Sequence, residues 1–375
     1  MPSAYPYIAA FIILQLTSML VSSSPLRRAL FLSMAAICIY IILCTTTGSP
    51  ADDYFTGLPL SISLCNASTL ILLSDPQYTA FRQGQTAAAH ALPFKQRLLW
   101  ATDIITNWRG INWSFEIPGV RRSNAPRLSY VISRLKWCFF HYILYDAATL
   151  INQNNPAFWK DGERMGQRGV AYQAFNVLMF WTTFASSMAM KHSLFSAITV
   201  ALHLYEPRDW PFPFGPLLHT TTVRTFWGRT WHQALRHPVS SHGKYLAQTI
   251  FRFSLGTSLS SYTQLYTAFL LSGIFHAAGD WMMSHNLQRF IDVTWYFVIQ
   301  AVAISVEDLV IAIAKKFGIR QASFLSSAAG MVWVFCWTVW SGPLWMETMI
   351  RGGAMEDGPP LSVVGRLPGL AKFRT

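Results

Sequence analysis

An all-α, polytopic transmembrane helical bundle is the fold class this chain predicts, and three observations predict it. Hydrophobic residues fill 52% of 375 positions. Charged residues fill only 12%, about half the share of an ordinary soluble domain. The basic residues, which bring the formal charge to +12, fall mostly between apolar runs, as topology signals do. A soluble chain of this composition would leave large apolar patches in water. At about 20 residues per crossing, the length suits a single integral membrane domain over 1–375 with about eight spans.

The elements follow in order. An apolar run over 7–22 has no positive charge before it and Arg27 and Arg28 after it. That is a first span with its N-terminal end outside, not a secretory signal. A second run covers 30–47, ending before Gly48, Ser49 and Pro50, with Asp52 and Asp53 on the far side. A third covers 57–73. Residues 75–129 form a long polar stretch with Arg82, Lys95, Arg97, Arg109, Arg121, Arg122 and Arg127 against few acids, so it is read as a cytosolic basic loop. Inside it, 98–113 reads as an amphipathic helix running into a turn, with Trp100, Trp108 and Trp113 suited to a membrane interface.

A fourth span covers 130–151. Residues 171–205 are apolar throughout and fit either two spans with a tight turn near Lys191 or one full crossing plus a membrane-dipping segment; the basic stretch that follows favours the second. Residues 206–259 carry Arg208, Arg224, Arg229, Arg236, Lys244 and Arg252 and read as a second cytosolic loop. Spans over 262–283, 290–314 and 324–346 follow, with Lys315, Lys316 and Arg320 as cytosolic markers.

Composition also excludes functions. The five cysteines lie in apolar stretches and form no CxxC pair, so neither a disulfide framework nor a zinc site is expected. No metal is expected. The positive charge has no nucleic-acid motif beside it, so nucleic acid is not an expected partner; the lipid bilayer is.

Two segments can carry chemistry. The first is SGIFHAAGDW, residues 272–281, inside the span over 262–283. An ionisable group there is costly to bury and therefore a functional candidate. On a helix, Ser272, His276 and Asp280 share one face. Asp280 is expected to accept a hydrogen bond from one imidazole nitrogen, leaving the other as a base. Gly273 and Gly279 thin the helix so that another helix or a substrate can approach. The second segment is TFWGRTWHQALR, residues 225–236. Trp227 and Trp231 are broad aromatic surfaces, Arg229 and Arg236 are permanent cations suited to phosphate, and His232 can donate a hydrogen bond. Such a loop can hold a phosphorylated, aromatic-bearing carrier such as coenzyme A. The plainer readings stand beside these: His276 as a packing histidine, and the Trp/Arg loop as an interfacial anchor. His141 and Asp146 also lie in an apolar span, so an intramembrane His and Asp are not unique here.

At three places the sequence resembles the wax synthase-like branch of the membrane-bound O-acyltransferase superfamily. WRGINW at 108–113 is similar to the RGIGW-type segment of fungal members. FWGRTWHQ at 226–233 is similar to the FWGRRWHQ-like segment, and SGIFHAAGD at 272–280 to the SGxxH segment. The Phe212-Pro213-Phe214-Gly215 run has a counterpart too. The resemblance implies an acyl-CoA:alcohol O-acyltransferase. Its buried histidine falls on His276 and its second, Asn or His, position on His232. Thr230 departs from the pattern where Arg is common. Fungal members of this length resemble acetyltransferases of terpenoid and meroterpenoid pathways. That implies acetyl-CoA as co-substrate, a hydrophobic alcohol as acceptor, and an endoplasmic reticulum membrane.

In that chemistry His276 takes the alcohol proton during attack on the thioester, and His232 or nearby amides stabilise the oxyanion. Arg229, Arg236, Trp227 and Trp231 hold the coenzyme. Two other readings remain open at this level: a long-chain wax or sterol ester synthase, and a transporter using His276 and Asp280 as a proton relay.

Overall fold

The computed structural model describes all residues except Pro118, 319–323, 357–361 and 365–375. Among the described residues the chain is helical, with no strand and only the isolated bridges Ser3–Thr46 and Arg82–Trp113. The principal helices are α1 (Tyr5–Leu20), α2 (Ser24–Cys44), α3 (Pro50–Ile71), α4 (Phe94–Thr106), α5 (Arg127–Gln153), α6 (Val170–Ala201), α7 (Arg236–Lys244), α8 (Ser258–Ser284), α9 (Leu287–Lys316), α10 (Phe324–Ser341) and α11 (Pro343–Arg351). Three of them, α2, α9 and α10, are long and apolar enough to cross a bilayer by length and hydropathy alone. Other long helices carry polar side chains that the fold buries. In α6, Asn176, Thr183, Ser186, Ser193 and Ser196 all face inward, which lowers hydropathy without exposing polarity to lipid.

The membrane-dipping segment expected in 171–205 is not present. Residues 170–201 contain no glycine or proline, so nothing interrupts the backbone ladder. The result is one helix of 32 residues, about 48 Å long at 1.5 Å per residue, with Lys191 exposed on its side.

The helices gather into two compact units, each from separate stretches of chain: 1–118 with 233–321, and 119–232 with 322–375. In the first unit, small residues set the helix spacing. A Cβ on Gly57 would lie 2.9 Å from the Ala278 carbonyl oxygen, and one on Gly279 would lie 2.8 Å from that of Tyr54. So α3 and α8 touch backbone to backbone. A Cβ on Gly273 would lie 2.9 Å from the Thr294 carbonyl oxygen, which brings α9 against α8 in the same way. The expectation that Gly273 and Gly279 admit a neighbouring helix is met by two different helices.

Two readings of the N-terminal half change. Arg27 is only 1% exposed. It donates to the carbonyls of Val21 and Ser22, each at 3.0 Å, and to Asp75 Oδ2 at 2.6 Å. It ties the α1–α2 turn to the start of the 75–118 segment rather than acting as a free surface charge. Trp100 and Trp113 are core residues, 5% and 4% exposed. Their rings meet edge to face at 5.8 Å, and their indole N–H groups donate to the Ala80 carbonyl and to Asp103. A buried indole with its N–H satisfied gains more from packing than from an interface position.

In the second unit α5 and α6 pair along their lengths. Asn152 donates to Thr183 Oγ1 at 3.0 Å, and Asn155 donates to Asn176 Oδ1 at 2.7 Å. The intramembrane candidate Asp146 is buried and accepts from the backbone N–H groups of Val363 and Val364 at 2.7 and 2.8 Å.

Candidate functional site

The candidate residues fall in both units. His276, Asp280 and Arg236 belong to the first; Trp227, Arg229, Trp231 and His232 belong to the second.

On α8, His276 Nδ1 lies 2.7 Å from the carbonyl oxygen of Ser272, one turn back. A carbonyl only accepts, so Nδ1 carries the proton and Nε2 is the basic nitrogen of the neutral ring. A backbone carbonyl thus holds the proton at Nδ1, a fixing role that the sequence had suggested for the Asp280 carboxylate. Asp280 is fully buried and its Oδ1 accepts from Ser284 Oγ at 3.0 Å. Phe297 from α9 stacks on the imidazole, with ring centres 4.3 Å apart and planes 29° apart. That close approach follows from Gly273, which lets α9 in. The Ser272 hydroxyl points elsewhere, donating to the Ala268 carbonyl at 2.8 Å.

The second segment is a π-helical turn, Phe226–Thr230, entered through a reciprocal Thr222–Thr225 cap and closed by the Trp231 N–H donating to the Phe226 carbonyl at 2.7 Å. Such turns are concentrated at functional positions. The Phe212–Gly215 run docks directly on it. Gly215 N–H donates to the Thr230 carbonyl at 2.9 Å, and a Cβ on Gly215 would lie 2.3 Å from the Arg229 carbonyl oxygen. Thr230 is buried, with its hydroxyl 2.6 Å from that of Thr220. Its departure from the family pattern is therefore a packing solution. Trp231 sits among Trp181, Phe214 and Phe226, with ring centres at 4.5, 5.2 and 6.1 Å. Arg229 and Arg236 are both exposed, as cations for a soluble anion must be.

The 206–259 stretch is more structured than a loop. Pro238 in the first turn marks the start of α7, whose Pro238, Val239 and Gly243 are buried. A Cβ on Gly243 would lie 3.0 Å from Gln264 Cα, so α7 lies directly on α8. This helix carries two histidines that sequence reasoning passed over. His242 Nδ1 lies 2.8 Å from the Pro238 carbonyl and its Nε2 lies 3.0 Å from Ser68 Oγ. His237 stacks on Phe115 at 4.3 Å, and Phe115 stacks on Trp113 at 5.7 Å. The residues around WRGINW and those following FWGRTWHQ thus meet in one aromatic stack. Burial pushes the His237 imidazole down to about 4, with Lys244 and His242 adding to the effect. Burial also lowers Arg109, opposed by Glu116. No group of three or more metal-ligating side chains occurs among the described residues.

Comparison with known proteins bears on this geometry. A family profile described as membrane bound O-acyl transferase family matches residues 210–299. That span contains the π-turn, α7 and His276. The chain is 30% identical to Acetyltransferase ple2 of Rhodocybe pseudopiperita over 329 residues, 87% of this chain and 85% of the relative. It is 30% identical to Acetyltransferase eriL of Hericium erinaceus over 353 residues, covering 90% and 88%. Acetyltransferase sirH of Leptosphaeria maculans is 28% identical over 287 residues, covering 72% and 69%. No solved structure matches.

Proposed function

The chain belongs to the membrane-bound O-acyltransferase family, and from that premise we propose that it transfers acetyl from acetyl-CoA to a hydroxyl of a hydrophobic terpenoid or meroterpenoid. The carrying observation is the 2.7 Å contact between His276 Nδ1 and the Ser272 carbonyl. It supports Nε2 as the base. An alcohol is a poor nucleophile at neutral pH, and a base within hydrogen-bond reach removes its proton as the new C–O bond forms. The tetrahedral adduct then collapses and the C–S bond breaks. Coenzyme A leaves as a thiolate, whose pKa near 8.5 makes it a good leaving group, and it takes the proton from the imidazolium. His232 is assigned as donor to the oxyanion. Asp280, buried one turn beyond His276, is assigned to positioning.

Arg229 and Arg236 are assigned to the phosphates of the coenzyme, and Trp227 and Trp231 are assigned to coenzyme binding with them. The exposure of the two arginines supports a donor arriving from water, while the acceptor reaches the protein through the bilayer. We assign the membrane to the endoplasmic reticulum, where a cytosolic thioester and a bilayer-borne alcohol meet. The relatives' names support acetyl over a longer chain. The test is an assay of membranes carrying the chain, with acetyl-CoA and palmitoyl-CoA side by side and a panel of hydroxylated terpenoids. Alcohol-dependent CoA release with an acetyl mass shift on the acceptor is the expected result. Release with palmitoyl-CoA alone would replace the acetyl reading by a long-chain ester synthase.

A further inference from the structure

The π-turn Phe226–Thr230 needs support from outside itself. Its ring is closed by a bond that spans five residues, Trp231 N–H to the Phe226 carbonyl, a geometry that is rare in helices and confined to short pieces. On one side it borders a cavity of about 700 Å³ whose wall includes Phe226, Thr230 and Trp231. There it faces space, and atoms beside space lack the contacts that would steady them. Yet this turn sets the directions of Trp227 and Arg229, and of His232 just after its closing residue.

The support comes from distant stretches of chain in the same unit. Trp181 of α6 is the first part. Its ring meets Phe226 at 5.5 Å, Trp227 at 6.3 Å and Trp231 at 4.5 Å, each edge to face. One side chain thus touches both the first residue of the turn and the residue that closes it. Trp181 Nε1 is buried and has no hydrogen-bond partner among the described residues. A buried donor left unpaired is a cost that calls for an explanation, and the reach of the indole across three rings supplies one.

The C-terminal pair of helices is the second part. Trp345 of α11 is buried and backs Trp181 at 5.9 Å and Phe180 at 5.5 Å. Hydrogen bonds hold α11 in place. Glu347 Oε1 accepts from the Met165 N–H at 2.9 Å, and Arg351 donates to the carbonyls of Trp159 and Glu163. The Met165 carbonyl in turn accepts from Asn176 of α6 at 2.9 Å. Helix α10 bears on the entry to the turn. A Cβ on Gly330 would lie 2.3 Å from the carbonyl oxygen of Thr221, the residue before the Thr222–Thr225 cap. So α10 supports the π-turn where it begins, and α11 supports it through Trp181 at its first and closing residues.

We propose that α10 and α11 form a brace for the π-turn, with Gly330 and Trp345 as positioning residues that act through Thr221 and Trp181. The brace fixes the pitch of the turn and with it the aim of Trp227, Arg229 and His232. The consequence for turnover rests on the O-acyltransferase reading; the consequence for the turn itself does not.

The first experiment is hydrogen exchange, read peptide by peptide, on the full chain in nanodiscs. Trp345→Ala is expected to speed exchange of the 222–232 peptide about tenfold, with α5 within about twofold of the parent, because a local opening changes only its own segment. Trp345→Phe keeps a ring against Trp181 and is expected to restore most of the protection. Gly330→Ala is expected to speed the same peptide from the other end. Unchanged exchange at 222–232 in both Trp345→Ala and Gly330→Ala overturns the proposal. So does an equal acceleration of α5, since that is loss of the whole unit. If Trp345→Ala is not recovered in the membrane, Trp345→Leu is read by the same criteria. The second experiment is kinetic. Trp345→Ala is expected to raise the acetyl-CoA KM about tenfold and to lower kcat, with Trp345→Phe within about threefold of the parent in both. A fall in kcat alone, matched by the fall in folded protein, is a merely structural effect and overturns the proposal. If the unaltered protein releases no CoA with any alcohol, the O-acyltransferase reading fails instead, and hydrogen exchange still decides whether the brace exists.

Discussion

The helix that carries His276 and the turn that leads to His232 are built on opposite packing principles. Around His276 the neighbours are glycines and backbone. Gly57, Gly273 and Gly279 hold α3, α8 and α9 so close that a single added Cβ would collide with a carbonyl oxygen. The Ser272 carbonyl and the Phe297 ring then help to fix the imidazole. Around the π-turn the neighbours are aromatic side chains, packed edge to face around a hollow. The difference teaches that one region is made to hold a single atom still, and the other is made to hold a volume open. Catalysis of proton transfer needs the first property; selection among bulky ligands needs the second.

This contrast can be broken at graded cost. Replacing His276 by alanine should lower turnover by about 10²–10⁴-fold, the usual worth of a general base, with membrane insertion unchanged. CoA release normalised to protein recovered in the membrane measures it, and substantial residual turnover would sink the assignment of His276. Gly57→Val tests the backbone contact. Its Cβ would press on the Ala278 carbonyl, and overpacking of this kind costs up to about 3 kcal/mol. A lower thermal-unfolding midpoint in detergent is expected, together with slower turnover as α8 shifts. An equal substitution at Gly228, where a Cβ meets nothing within 4 Å, should leave the midpoint in place.

His237 supplies a pH test in the same unit as His276. Its folded value, about 4, is depressed below the unfolded value near 6.5. Between those limits the unfolded chain binds more protons, so the folded state loses stability as pH falls from 6.5 toward 4. The loss from this group should reach about 2 kcal/mol by pH 5. His237→Phe keeps the stack on Phe115 and should shrink the drop in unfolding midpoint between pH 7 and pH 5. The smallest effect is expected from Ser272→Ala. The imidazole bonds the backbone at that position, not the hydroxyl, so turnover should stay within about twofold of the parent, the scale of a change that breaks no special contact. A large loss would return the Ser272 side chain to the catalytic face.

Much of this molecule is legible in its residue order. The charge deficit and apolar runs mark a helical membrane protein, and His276 stands out because an ionisable group in an apolar run is costly. Its spacing from Ser272 correctly puts the two on one face, and Gly273 and Gly279 correctly mark close approach. Which atom partners Nδ1 is not legible: a side-chain carboxylate and a backbone carbonyl lie at equal spacing from position 276, on either side. Trp100 and Trp113 read as interfacial because amphipathic spacing does not say whether another helix covers the apolar face. The helix Arg236–Lys244 is hidden because its polar composition resembles a loop, although Pro238 is a usable starting signal.

The sequence by itself determined the solvent and the helical class, and it singled out His276 as a candidate. Those depend on the free energy of moving side chains between water and lipid, which each residue type carries with it. Only the tertiary structure decided the rest. It turned Arg27 from a surface marker into a buried tie. It gave Thr230 a packing role, and it let Phe297 and the Ser272 carbonyl share the orientation of His276. It also gathered aromatic residues from several distant stretches of chain around one hollow. These depend on which side chains become neighbours, and neighbourhood across long stretches of chain is a property of packing.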